Sequence, residues 1–219
     1  MRRLGAPRGD PDRPYVPRSL IRDSLSRGAL RTAKASVTIR PVHTTRQLLG
    51  ITIELEKRSM ALYVRFAKLF SSNLKLRDFW FGMARDEARH VGALALVTSV
   101  LEVDGLLDSP SMVLVDDAAF DHLRALLERY QATADDAISL QRALAIAVEI
   151  EETELEDLVG DLLKVIQDRE EYQRCQRLLV HDLSELSCMI ERHCSDATLL
   201  HRCDELVDRH AATLNPVGK

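Results

Sequence analysis

The stretch RDEARH, residues 85–90, lies inside a periodic apolar run and sets Glu87 and His90 one helical turn apart on the same face. In HDLSE, residues 181–185, Asp182 and Glu185 hold the same two positions 95 residues later, and Glu56 is matched by Glu151 at that same spacing. Their apolar neighbours shift by the same amount: Leu49 corresponds to Leu144, Ile51 to Ile146, Ile53 to Val148 and Met83 to Leu178. Internal similarity at one fixed offset indicates one supersecondary unit used twice, here an antiparallel helix pair packed on its own copy.

Working outward, the periodicity divides the chain into helices. Thr44 or Thr45 can cap a first helix that Ser71, Ser72 and Asn73 stop, with an inward stripe of Leu49, Ile53, Glu56, Met60, Tyr63, Ala67 and Phe70. A second helix from about 75 to 103 presents Trp80, Met83, Glu87, His90, Leu94 and Val97 on one face. Residues 104–135, with Gly105, Pro110 and an amphipathic stretch from 118 to 130, suit a crossover running the length of a bundle. A third helix is expected without interruption over about 136–167, carrying Glu151 and Glu154 inward and leaving Glu149, Glu152 and Glu156 solvated. The fourth, about 170–193, carries Leu178, Asp182, Glu185 and Met189 in register, while its fully apolar line, Leu179, Leu183, Leu186 and Ile190, is displaced by one residue. A last amphipathic stretch, 196–214, covers one end of the bundle or mediates association. The expected architecture is all-α: a four-helix bundle over 44–193, made of two helix pairs with a long crossover, plus a C-terminal helical extension over 194–219.

Composition agrees. The chain has 219 residues, 46% apolar and 29% charged, with only nine Gly and seven Pro, so it can bury a full core as one helical domain. No apolar run approaches the roughly 20 residues of a membrane-spanning helix, and a soluble, cytoplasmic protein is expected. Cys175, Cys188, Cys194 and Cys203 form no Cys-x-x-Cys pair, so neither a rubredoxin-type nor a zinc-ribbon site is visible, and the set His193, Cys194, His201 and Cys203 matches no standard zinc spacing. The first forty residues hold nine Arg and one Lys against three Asp. With four Pro in the first seventeen positions, residues 1–43 read as an Arg-rich disordered tail; an organelle-targeting segment shares that composition. The tail lacks the aromatic or helical organisation of a nucleic-acid-binding segment.

Buried carboxylates lose hydration and repel one another unless something positive is present. Glu56, Glu87, Glu151 and Asp182 stand on four converging stripes almost free of Arg and Lys. Hard divalent or trivalent cations supply the missing charge, and iron and manganese accept carboxylate oxygen together with imidazole nitrogen.

On these residues the chain resembles the ferritin-like superfamily and, within it, the rubrerythrin branch. ELEKRSMALY, residues 54–63, is similar to that branch's first-helix motif, in which a ligand Glu precedes a Tyr by seven positions, as Glu56 precedes Tyr63. RDEARH is similar to its Glu-x-x-His helix, and EIEETE, residues 149–154, to the helix that offers a ligand Glu and a supplementary Glu, here Glu151 and Glu154. HDLSE departs from the pattern: Asp182 replaces the Glu, and Glu185 stands where a second His belongs.

The resemblance spans about 44–193. It implies a ferritin-like bundle with two iron ions, or manganese, held by Glu56, Glu87, His90, Glu151, Glu154, Asp182 and Glu185. The implied partners are dioxygen or hydrogen peroxide and an external electron donor, since no rubredoxin segment is present. A homo-oligomer is expected, as such bundles often associate. The alternative is a bundle that has lost its metals and acts as an interaction or scaffold module.

Overall fold

The structure is a computed structural model and describes residues 43–113, 115, 117–133, 138–153, 155–165 and 169–214. The Arg-rich stretch 1–42 lies outside the described residues, as does Glu154. All regular structure among the described residues is helical: α1 (Thr45–Leu69), α2 (Leu74–Val103), α3 (Asp117–Thr133), α4 (Leu140–Glu151), α5 (Leu155–Val165), α6 (Arg169–His193) and α7 (Ala197–Leu214).

α1 and α2 form the hairpin that the periodicity predicts. Thr44 caps α1 in a capping box: its hydroxyl accepts from the Gln47 N–H while the Gln47 side chain accepts from the Thr44 N–H. Two further N–H groups of the first turn are satisfied across the hairpin, Thr45 N donating to Ser109 O at 3.0 Å and Arg46 N to Leu107 O at 2.8 Å. The loop that provides those carbonyls turns back at Gly105, whose φ of 70° is readily reached only without a Cβ. At the other end Asn73 starts α2 by accepting from Lys75 N and Leu76 N. Between these ends Leu48, Leu55, Leu62 and Phe66 of α1 and Trp80, Leu94 and Val97 of α2 are buried, and this is the most extensive helix contact among the described residues.

The second half is built differently from the first. The expected third helix is two helices, α4 ending at Glu151 and α5 beginning at Leu155. The sequence from 149 to 157 holds six acids, and like charges at helical spacing weaken a continuous helix. Arg202 of α7 also draws Glu152 aside, Nε donating to Oε1 at 2.7 Å. Glu149 is engaged as well, accepting from the Tyr130 hydroxyl and pairing with Arg129, so neither acid is merely solvated. α6 is held chiefly by α7 and less extensively by α2, α5 and α4; the partner helix expected for it does not dominate. α3, the crossover stretch, lies against α1 and α4. No described helix is long and apolar enough to cross a membrane.

Candidate metal centre

Glu56 lies midway along α1, on the face turned to α2, and is 0% exposed. From α2, Glu87 and His90 face it one turn apart, both buried. His90 Nδ1 is 3.5 Å from Glu87 Oε2 and 3.7 Å from Glu56 Oε2. One ligand atom from each of the three lies within 4.8 Å of the others, the spacing of donors around a single cation, and no other such His, Cys, Asp or Glu group occurs among the described residues. The C-terminal His193, Cys194, His201 and Cys203 therefore do not converge.

The acids of this group are buried, with no Lys or Arg among the described residues buried beside them. No amide, imidazole or hydroxyl donor among the described residues reaches either oxygen of Glu56 in hydrogen-bonding geometry, which is costly for a buried carboxylate; the proton it can share is the one retained on the Glu87 carboxyl. The Ser59 hydroxyl, three residues further along α1, is likewise buried and unmatched. Burial, reinforced by the neighbouring Glu56 charge, pushes the Glu87 carboxyl well above the usual carboxylate range, and His90 pulls it only partly back. Among the described residues no Lys or Arg is buried.

Glu151 closes α4 beside this group. The Tyr63 hydroxyl donates to its Oε1 at 2.7 Å. Burial, then the Glu87 charge, pushes the Glu151 carboxyl up to about 8 against that hydrogen bond. Tyr63 in turn stacks on Trp80 at a ring separation of 6.0 Å, so the aromatic core bears directly on the side chain that orients Glu151.

Asp182 of α6 is half-buried and feels Glu151 at a distance. Burial, and then the facing carboxyl of Asp86, push it up to about 7, while His181, with Nδ1 at 3.1 Å from its Oδ1, pulls it down. Glu185 is exposed. It lines an open groove between α2 and α6 together with Phe79, Arg85, His181, Cys188 and Arg192, and does not join the Glu56 group. The rotation of α6 bears on this: Leu179, Leu183, Leu186 and Ile190 take the buried side, and of the adjoining line Met189 is buried, Leu178 and Asp182 are half-buried and Glu185 is exposed.

No family model, curated protein or solved structure matches this chain. The chemistry is therefore read from the donor set itself. Two carboxylates and one imidazole, buried without cationic side chains, suit a hard or borderline cation better than a soft one. The Glu56, Glu87 and His90 set fits one such ion, since its ligand atoms converge and no amide, imidazole or hydroxyl donor among the described residues reaches Glu56. Glu151 and Asp182 extend the acids toward α6 less compactly.

Two residues were not singled out by the sequence. Asp86 is buried beside Glu87, pairs with Arg89 and faces Asp182 across the contact of α2 with α6. Its signal was the second acid in RDEARH, which a single-stripe reading of α2 assigns to the wrong side. Ser59 carried the signal of a hydroxyl one turn from Glu56 on the same face. The thiol of Cys203, by contrast, is pushed up to about 12 by burial and is an inert core group.

Proposed function

We propose that this chain is a non-haem di-iron oxidoreductase of rubrerythrin or ferritin type on a ferritin-like bundle, with manganese as the alternative metal. It oxidises Fe(II), or reduces dioxygen or hydrogen peroxide. The observation that carries the reading is the fully buried Glu56, neither of whose oxygens meets an amide, imidazole or hydroxyl donor among the described residues, opposite Glu87 and His90. A chain that needed only a packed core would gain from an apolar residue there.

Glu56, Glu87 and His90 would hold one ion; Glu151 and Asp182, with Glu87 between, would hold the second. Bound iron supplies one-electron chemistry that side chains lack. The protein's own contribution is geometric and electrostatic. Tyr63 fixes the orientation of Glu151, the surrounding leucines and aromatics exclude water, and the acid excess favours the more highly charged oxidation state. Because burial holds protons on Glu87 and Glu151, metal entry must displace them, and affinity rises with pH. Reduction of hydrogen peroxide to two waters consumes two electrons and two protons, the electrons coming from an external donor.

Anaerobic loading with Fe(II) followed by air or hydrogen peroxide tests the proposal. A visible absorption band and peroxide consumption faster than that of free Fe(II) are expected. Absence of both removes it. One observation favours a second reading, a metal-free interaction module: Glu185 is exposed and Asp182 pairs with His181, which leaves the second ligand set thin. On that reading, added metal leaves thermal stability unchanged.

A further inference from the structure

Acid outweighs base over residues 41–219: the formal charge of the chain is -4, although its first forty residues hold more cations than acids. Arg46, Arg58, Arg77, Arg89, Arg124 and Arg202 are accordingly each held by a carboxylate. The open groove between α2 and α6 departs from that pattern. Lys75, Arg85 and Arg192 line it, all three are exposed, and none forms an ion pair among the described residues; Arg85 Nε donates to the Phe81 carbonyl at 3.2 Å instead. Of the two acids lining the groove, Asp78 is engaged by Arg77, Nη2 donating to Oδ1 at 2.7 Å, which leaves Glu185. Asp86 faces Asp182 while residues from Lys75 to Arg85 and from His181 to Arg192 line the same groove, so the two helices run along it in opposite directions. Lys75 and Arg192 therefore share one end. Arg85, His181 and Glu185 share the other, about 15 Å away at the helical rise per residue. The floor between them is apolar, formed by Phe79 and Met189, both buried.

We propose that this groove binds an amphipathic organic anion, its charged head at Lys75 and Arg192 and its apolar body along Phe79 and Met189. The volume, about 620 Å³, is that of a site for a small organic molecule. The two requirements are separate and a single ligand class meets both. An inorganic anion would answer the cations and leave the apolar floor in water, whereas a neutral apolar molecule would cover the floor and leave both cations unmatched. At the far end Arg85 and Glu185 carry opposite charges and call for no second anion. The assignment does not depend on a metal at Glu56.

Calorimetric titration of the full chain with 2-naphthoate, in chelator and reductant, tests this. Its neutral isostere 2-naphthamide and inorganic phosphate each supply one half of the ligand. Naphthoate is expected to bind at one site per chain with a Kd on the order of 10–100 µM in about 50 mM salt, and the amide and phosphate at least about tenfold more weakly. Lys75→Gln and Arg192→Gln are each expected to weaken naphthoate about five- to tenfold and to leave the amide within about twofold. Lys57→Gln, at an exposed lysine of α1, should leave naphthoate binding unchanged. Should a variant fail to fold by circular dichroism, the comparison of naphthoate with its amide on the wild-type chain still decides. No naphthoate binding at about 2 mM, or equal binding of the amide, overturns the proposal. So does naphthoate affinity that survives both groove substitutions, or that falls as far in Lys57→Gln, which would mean that diffuse surface charge holds the anion.

Discussion

Raising the pH of the metal-free protein destabilises it through Glu151. In the folded chain this carboxyl is pushed from 4.5 up to about 8, by burial and then by the Glu87 charge. Between those values the folded state retains a proton that the unfolded state has released, so stability falls as pH rises across the window, and the loss is complete once the pH passes the folded value. A shift of that size corresponds to on the order of 4–5 kcal/mol, a large share of the roughly 5–15 kcal/mol that holds a domain together. Glu87 shifts in the same direction and deepens the loss, and half-buried Asp182, pushed up to about 7, adds a smaller part because solvent screens it. Urea midpoints followed by circular dichroism at pH 5 to 8.5, in excess chelator, measure the effect. Glu151→Gln provides the control, because its amide oxygen still accepts from Tyr63 while its titration is gone, and it should flatten the slope by a corresponding amount. Stability that is level or rising between pH 5 and 8, or an unchanged slope in Glu151→Gln, would refute the reasoning.

Other consequences follow from the same contacts. Tyr63→Phe removes the donor 2.7 Å from Glu151 and should cost about 1 kcal/mol at pH 5 but about 1.5–3 kcal/mol above pH 8, where the acceptor is charged, as read by urea unfolding in chelator. Arg202→Ala frees Glu152 at the break between α4 and α5; the pair is partly exposed, so a loss of only about 0.5–1 kcal/mol is expected by thermal unfolding. Glu87→Gln should abolish metal binding, whereas Glu185→Gln should leave the affinity within about twofold by calorimetric titration. A loss of affinity in Glu185→Gln would mean that α6 turns when metal binds.

The hairpin of α1 and α2 was legible because its signals agree: caps at Thr44 and Asn73, an apolar stripe on α2 that is buried throughout, and acids set among apolar residues; on α1 the stripe is buried at Leu49, Tyr63 and Ala67 but half-buried at Ile53, Met60 and Phe70, beside the fully buried Leu48, Leu55, Leu62 and Phe66. The compact part of the site, Glu56, Glu87 and His90, was legible for the same reason. Legibility failed where two faces of one helix compete. On α6 the apolar line Leu179 to Ile190 sits one residue from the acid line, and burial of the leucines decides the rotation against Glu185. At the interruption after Glu151, Glu152 is engaged by Arg202, a residue 50 positions away that local periodicity does not reveal. Asp86 escaped notice because it is buried against α6 rather than α1, a distinction that only the packed helices make.

The central claim is that the buried carboxylate of Glu56 and its neighbours form a metal centre, and metal content tests it most directly. After anaerobic Fe(II) loading and removal of free metal, elemental analysis of the wild-type chain should find about two irons per chain, and Glu56→Ala should retain close to none. Iron-free wild-type protein, or iron retained equally by Glu56→Ala, would contradict the account.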